Sequence, residues 1–316
     1  MATATTPRHQ VLTDKQWERI EPMLPSNTGR KGRPFHDNRK IVEGIIYRAR
    51  TGIPWRDLPR EQFGPWQTVW KRHYLYARLG VWDRIHAALM AQADAAGDIE
   101  WMVSVDSTIN RAHQHGTNTT RPDQPTGATA NHNNPSPEEP DGHAIGRSRG
   151  GLGSKIHAAV DGNGMPLAIV LTGGQRHDGA MLLEVLDDIR VPRLGPGRPR
   201  IRPDAVVADK AYSSGKTRRM LAARGIKTVI PQKSDEIASR KKKGTRGGRP
   251  PALDQVAYAG RNVVERQFGL AKQWRGIATR YDKHAIAYRA GVVLCAVIAS
   301  EFVKVNEASG SQAAVW

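Results

Sequence analysis

The hydrophobic pattern of this chain changes near residue 100, and that change limits the folds it can adopt. Before it, apolar residues recur at the three- and four-residue spacing of helices. After it, short apolar runs that alternate with polar residues indicate strands, beginning with MVSVDST at 102–108. The order of the two patterns predicts an α/β protein with a helical N-terminal domain (1–98), a mixed-sheet domain (99–306) and a tail (307–316).

Capping signals support the helices of the first segment. Thr13 or Asp14 can cap a helix over 12–24, and Asp37 can cap a second helix that Gly52 closes. Two more helices are predicted at 66–79 and 81–95.

The helix predicted at 66–79 has a basic outer face. Two helices joined by a connector, the second of them basic on the outside, are compatible with a helix-turn-helix that reads the major groove. The alternative is that this face is only solvated surface. On the first interpretation, the outward-facing residues that contact DNA include Gln67, Lys71 and Arg72.

The second segment alternates strands with helices. Further strands are predicted at 155–161, 166–172, 204–209 and 227–231, and helices at 178–190, at 215–224 and twice near the C-terminus. That order predicts a mixed sheet. Residues 110–154 are rich in Asn, Gly, Thr, Pro and His and lack periodicity, so we expect a long mobile loop there.

Four histidines lie in the segment 110–154, namely His113, His115, His132 and His143. Histidine clusters suggest zinc, but no cysteine accompanies these residues and their spacings match no common zinc site. We therefore interpret them as part of a solvated polar loop.

Composition indicates a polyanionic partner. The chain carries 48 Lys and Arg against 30 Asp and Glu, a formal net charge of +18, and this balance favours nucleic acid. A basic segment, RKKKGTRGGRPP at 240–251, is interpreted as a loop that contacts the DNA backbone, the alternative being a loop that is only solvated.

Cysteine content and hydropathy indicate the cellular compartment in which the protein is expected. The single cysteine, Cys295, excludes an internal disulfide framework and suits a reducing cytoplasm. The longest apolar run, at 291–299, is too short to cross a bilayer, and the N-terminus lacks the apolar stretch of a secretory signal. We expect a soluble cytoplasmic protein without a membrane partner.

Two aspartates stand on apolar strands, where carboxylates are costly. Asp106 interrupts MVSVDST, and Asp209 ends VVAD. A buried carboxylate requires a cationic partner, and a metal ion would serve. Open α/β sheets also collect their ligands at such strand ends. The alternative for either residue alone is a turn cap or a backbone hydrogen bond.

A glutamate, Glu265, stands among basic residues in YAGRNVVERQFGLAK at 258–272. Tyr258, Arg261, Glu265 and Lys272 are spaced by three, four and seven residues, so on one helix they form a single stripe. The alternative is an exposed ion pair between Arg261 and Glu265, which explains neither Tyr258 nor Lys272.

This spacing is similar to the signature of bacterial insertion-sequence DDE transposases. VSVDST at 103–108 resembles the family's first-aspartate strand, and ADKAYSS at 208–214 resembles its second-aspartate segment. GRPFHDNRKIVEGIIYRARTGIPWRDLP, GRSRGG and TGGQRHD resemble the subgroup called insertion sequence family five, in the insertion sequence four superfamily. The resemblance extends from about residue 11 to about residue 300.

The resemblance implies an RNase H-like mixed-sheet core with Asp106, Asp209 and Glu265 as the catalytic and metal-binding triad. Three carboxylates without cysteine favour Mg²⁺, with Mn²⁺ as a substitute, and two ions are expected. The implied activity is cleavage of insertion-sequence ends and joining of their 3′ hydroxyls to target DNA. We expect the enzyme to act on double-stranded DNA as a homodimer or higher oligomer.

On this interpretation the basic neighbours of Glu265 hold the transposon end. Arg261 and Lys272 would bind its phosphates, and Tyr258 would bond or stack beside them. Two other classes remain open. A metal-dependent nuclease with the same core would cut DNA without joining it. A non-catalytic DNA-binding repressor or domesticated remnant would need only the N-terminal domain and the positive charge.

Overall fold

Short helices form the N-terminal part of the chain. The computed structural model describes residues 11–26, 37–118 and 139–309. The α-helices that precede the sheet are α1 (Asp14–Ile20), α2 (Asn38–Thr51), α3 (Arg60–Phe63), α4 (Trp66–Arg78) and α5 (Val81–Ala96).

The ends of α1 and α2 are set by local hydrogen bonds. The Gln16 backbone N–H donates to the Thr13 hydroxyl (3.3 Å), and the Thr13 N–H donates to the Gln16 side-chain oxygen (2.9 Å). Asp37 accepts from two backbone N–H groups in the first turn of α2. Gly52 ends α2 at a φ of 71°, a left-handed conformation that favours glycine. The predicted caps at Thr13, Asp37 and Gly52 are confirmed, whereas α1 ends at Ile20, before the predicted end at residue 24.

A mixed sheet follows the helices. Its strands are β1 (Met102–Ala112), β2 (Gly146–Ser148), β3 (Gly151–Val160), β4 (Pro166–Gly173), β5 (Ala205–Ala208), β6 (Lys227–Val229) and β7 (Thr279–Arg280). β1 lies at the centre, antiparallel to β3 on one side and parallel to β5 on the other. β4 continues the sheet beyond β3, and β6 continues it beyond β5. The strand order β4-β3-β1-β5-β6 is the RNase H-like arrangement that the resemblance implies.

Helices surround the sheet. They are α6 (Gln114–Thr117), α7 (Asp178–Asp187), α8 (Gly215–Ala223), α9 (Ser234–Lys242), α10 (Gln255–Ala259), α11 (Asn262–Gln273), α12 (Arg275–Ala278) and α13 (Ala285–Ser309). None of the helices within the described ranges is both long and apolar enough to cross a membrane. The apolar residues of α13 between Tyr288 and Ile298, including Cys295, share one buried cluster with α2, α4 and α5 and with β3 and β4. The N-terminal helices therefore pack on the same core as the sheet.

Two segments that the sequence predicts as loops contain regular structure. The expected mobile loop at 110–154 is wrong at both ends, because β1 continues to Ala112 and because α6, β2 and the start of β3 fall inside it. Its middle, 119–138, lies outside the described residues. The basic segment at 240–251 begins within α9, so its first residues are helical. Short strands such as β2 and β7 were not predicted, since their hydrogen bonds depend on partner strands distant in sequence.

Buried histidines predict a loss of stability in acid. His86 on α5 is 6% exposed, and its Nε2 has no hydrogen-bond partner among the described residues. Burial lowers the pKa of His86 from 6.5 to about 4. Between these values the unfolded chain takes up a proton that the folded chain does not, so stability falls as the pH drops below 6.5.

His86→Leu removes this titration and should reduce the stability lost between pH 7 and pH 5 by about 2 kcal/mol. Urea denaturation at the two pH values measures the difference. His115→Leu, at an exposed histidine, is the matched control and should behave like the original protein. An equal acid loss in the original protein and in His86→Leu would contradict the assignment.

Candidate active site

Asp106 lies on the central strand β1, just beyond the end of its neighbour β5. Val105 pairs with Ala208, the last pair of the β1–β5 ladder, while Asp106 pairs with Ala158 of β3 on the other side. The Ser107 N–H donates to Asp106 Oδ1 (2.8 Å). Asp106 therefore stands where the sheet opens on one side, and its side chain is 22% exposed.

Asp209 follows directly on β5, which is buried along its whole length. Because β5 is parallel to β1 and its last residue pairs with Val105, the chain delivers Asp209 to the edge where Asp106 lies. The Ala211 N–H donates to Asp209 Oδ1 (2.6 Å), so Asp209 also caps the 3₁₀ turn Lys210–Tyr212. The turn cap considered as an alternative is thus present together with the position beside Asp106.

Glu265 is in the first turn of α11, with its side chain 48% exposed. The neighbouring residues Val263 and Val264 are buried and pack against Ala158 and Val160 of β3. This apolar contact fixes α11 on the sheet and leaves Glu265 at the side of the helix next to β1.

The Arg261 guanidinium joins two of the three acids. Its Nη1 lies 3.1 Å from Asp106 Oδ2, and its Nη2 lies 2.5 Å from Glu265 Oε1. The expected i to i+4 ion pair is therefore present, but the contact with Asp106 is not visible in the local sequence. The result is a single cation placed between a carboxylate of β1 and a carboxylate of α11.

The three acids also influence one another electrostatically. Burial raises the pKa of Asp106, and the charges of Asp209 and Glu265 raise it further. The Ser107 N–H and the Arg261 guanidinium oppose this rise. Asp106 thus lies close enough to Asp209 and Glu265 for their charges to act on it, and all three side chains offer carboxylate oxygens. Such a donor set fits a hard divalent cation better than zinc.

Two other residues of the predicted stripe lie on different elements. Lys272 is in the last turn of α11, and its Nζ donates to the Ile109 carbonyl of β1 (3.3 Å). Tyr258 belongs to α10, so the single continuous helix expected over 258–272 is wrong. At Gly260 and Arg261 the backbone N–H groups donate to the carbonyls three residues earlier, so a tighter turn separates α10 from α11. Tyr258 still lies close enough to contribute to the raised pKa of Arg261.

The predicted DNA contacts on α4 separate into two groups. Gln67 and Lys71 are exposed, as expected. Arg72 is buried at 6% exposure, so its outward orientation is wrong. Its Nη1 donates to Asn38 Oδ1 (2.7 Å), and its guanidinium lies over the Tyr76 ring. Arg72 connects α4 to the start of α2, a role that helical periodicity alone does not reveal.

A fourth acid next to the site was not singled out from the sequence. Asp178, at the start of α7, accepts hydrogen bonds from Ser107 Oγ (2.6 Å) and Lys155 Nζ (3.0 Å). Ser107 directly follows Asp106, so this network holds β1 at the site. The sequence feature that could have indicated Asp178 is Lys155 inside the apolar strand KIHAAVD, because a buried ammonium requires an acid nearby.

Two segments of the chain match models of known protein families. Residues 99–299 match the family model described as "Transposase DDE domain", and residues 12–86 match "Putative transposase of IS4/5 family".

Individual relatives were found in bacterial insertion elements. The putative transposase for insertion sequence element IS6501 of Brucella ovis is 31% identical over 146 residues, which are 46% of this chain and 96% of that protein. The putative transposase for IS402 of Burkholderia cepacia is 35% identical over 133 residues, 42% of this chain and 56% of that protein.

Among solved structures, the Mos1 strand transfer complex aligns over 92% of this chain and 88% of that one. Its identity of 12% and TM-score of 0.25 are too low to support a conclusion. The match of the DDE domain model does support one, because it spans more than half of the residues. The chain belongs to the insertion-sequence DDE transposases.

Proposed function

We propose that this transposase cleaves insertion-sequence ends in double-stranded DNA and joins the freed 3′ hydroxyls to target DNA at Asp106, Asp209 and Glu265. Its family is a polynucleotidyl transferase class that uses divalent metal. The observation that supports this assignment most is the contact of one guanidinium with both Asp106 and Glu265, beside Asp209. The arrangement already accommodates a cation among these acids.

The three carboxylates would hold Mg²⁺, with Mn²⁺ as a substitute and two ions in the full site. When bound, the metal activates the attacking oxygen and stabilises the departing one at phosphorus. Arg261 contacts both Asp106 and Glu265, which lie on two different elements. To bind the metal, both carboxylates would therefore exchange the guanidinium for the ion. Asp178, Lys155 and Ser107 hold β1 in place during that exchange.

The released Arg261 would then pair with a DNA phosphate. Lys272 in the last turn of α11 and Tyr258 on α10 would also contact the transposon end. Further phosphate contacts would come from exposed basic residues in the last turn of α9 and directly after it, namely Lys241, Lys242, Lys243 and Arg246. Gln67 and Lys71 of α4 remain available for base contacts, whereas Arg72 does not. We propose that a dimer or higher oligomer brings two ends together.

Glu265→Gln tests the catalytic assignment. The change preserves the size of the side chain but removes a charged ligand, so Mg²⁺-dependent nicking of an end-containing duplex should fall on the order of 100-fold or more. Binding of the end, measured by gel shift, should be retained. Joining to a labelled second duplex is scored in the same reactions, since a nuclease would cut without joining. Glu184→Gln, at an exposed acid of α7, is the control. Nicking by Glu265→Gln at the original rate would refute the catalytic role.

Arg261→Gln tests the exchange of cations. Because the guanidinium occupies the position between Asp106 and Glu265, its removal should strengthen Mn²⁺ binding by about tenfold while end binding weakens. Electron paramagnetic resonance of free Mn²⁺ measures the first effect and a gel shift the second. Arg266→Gln removes an equal charge from the exposed side of α11 and should leave Mn²⁺ affinity unchanged. Weaker Mn²⁺ binding in Arg261→Gln would argue against the exchange.

Lys272→Ala tests the proposed phosphate contact. Loss of one charge-assisted bond should weaken binding of the transposon end by about tenfold, with cleavage recovering in part at high protein concentration. Gel shifts over a range of salt concentrations provide the measurement. Lys15→Ala removes an exposed lysine from α1 and serves as the control for net charge. Unchanged end affinity in Lys272→Ala would restrict Lys272 to its contact with Ile109.

A further inference from the structure

A second group of ligating side chains involves segments outside the candidate active site. Glu139 and His143 belong to the turn that leads into β2, and His284 immediately precedes α13. One carboxylate oxygen of Glu139 and one ring nitrogen of each histidine all lie within 4.8 Å of one another. Residues separated by more than 140 positions are thus brought together at the start of the longest described helix.

Glu139 is an acid removed from water. Its side chain is only 2% exposed. It accepts hydrogen bonds from the backbone N–H groups of Ala285 and Ile286, and it lies 2.8 Å from His143 Nδ1. The two amides cap α13 but carry no formal charge. Burying a carboxylate to this degree costs free energy that hydrogen bonds or a cation must offset, and among the described residues His143 is the sole side chain within ion-pair distance of it.

His284 has a ring nitrogen that could bind a metal ion. His284 Nδ1 is buried and has no hydrogen-bond partner among the described residues. The rings of His143 and His284 lie 5.7 Å apart, nearly perpendicular to each other. His143 adopts a φ of 55° and ψ of 29°, a left-handed backbone conformation that residues other than glycine rarely adopt. This backbone conformation holds the His143 ring near Glu139 and His284. The side chain of His143 is 17% exposed, so its interpretation as part of a solvated loop is wrong.

We propose that Glu139, His143 and His284 bind a transition metal ion of the Zn²⁺ type, at a site distinct from the carboxylate triad. Imidazole suits zinc and its neighbours in the periodic table, whereas the all-oxygen triad suits magnesium. Two histidines and one glutamate are a known zinc donor set, with ligand distances of about 2.0–2.2 Å and a further position for water. A shift of about 1 Å in the side chains would bring the three ligand atoms to those distances. By binding side chains from both segments, the ion would link the turn before β2 to the start of α13.

Cobalt provides the direct test, because Co²⁺ replaces Zn²⁺ at such sites and absorbs visible light when its coordination is tetrahedral. Chelator-treated full-length protein is titrated with Co²⁺ in excess Mg²⁺, which occupies the carboxylate triad. We expect one equivalent of Co²⁺ to develop the absorption and Zn²⁺ to abolish it. His284→Gln and His143→Gln should each lower the affinity for Zn²⁺ on the order of 10- to 100-fold. Zn²⁺ should raise the melting temperature of the original protein more than that of either variant.

His115→Gln is the matched control. His115 is exposed, and its ring lies 4.8 Å from that of His113, so this pair is the main competing histidine site among the described residues. The control should retain the cobalt absorption and the zinc affinity. Absence of the absorption, or its survival in His284→Gln, would overturn the proposal and leave Glu139 as a helix cap and ion-pair partner. Loss of the absorption in His115→Gln with retention in His284→Gln would also overturn it. Because His284→Gln alters no left-handed residue, it decides the matter even if His143→Gln does not fold.

Discussion

The burial of Asp106 close to two other carboxylates is the constraint on which the candidate site depends, because burial raises the pKa of Asp106 and repulsion from Asp209 and Glu265 adds to that rise. The register of β1 and β5 places the two aspartates at one sheet edge, and buried valines of α11 hold Glu265 beside them. Arg261 offsets the repulsion by contacting two of the acids at once. The candidate site therefore contains a protein cation that contacts two of its three acids. Under the proposed function, metal binding would be an exchange of one cation for another.

Three other acids of this basic chain also have specific partners. Asp282 pairs with Arg48 at 2.9 Å, and this buried contact connects the segment before α13 to α2. Asp178 receives Lys155 and Ser107 beside the candidate site. Glu139 obtains two backbone amides and a histidine. Acids are scarce relative to Lys and Arg, and these three connect distant parts of the chain.

Packing of α13 affects how the N-terminal helices can act. The apolar side chains of α13 between Tyr288 and Ile298 lie in one cluster with those of α2, α4 and α5 and with part of the sheet. Arg72, which the helical pattern places outside, instead joins α4 to α2. A DNA contact made by the exposed residues of α4 would therefore be positioned by the same core that positions the sheet. Rigid support of this kind favours accurate placement of a bound DNA end relative to Asp106 and Glu265.

The sequence alone determined the features that depend on residues close together in the chain, namely helix ends, strands and the family motif. Thr13, Asp37 and Gly52 set helix ends through bonds to nearby backbone, and the apolar runs before Asp106 and Asp209 identified strands that carry acids. The spacing from Tyr258 to Lys272 identified the family. Tertiary structure alone decided which groups meet across long separations: Arg261 with Asp106, Arg72 with Asn38, and Glu139 with His284. The physical reason is that caps and periodicity are governed by hydrogen bonds over a few residues. The partner of a buried charge is instead chosen by how sheet register and helix packing bring remote segments together.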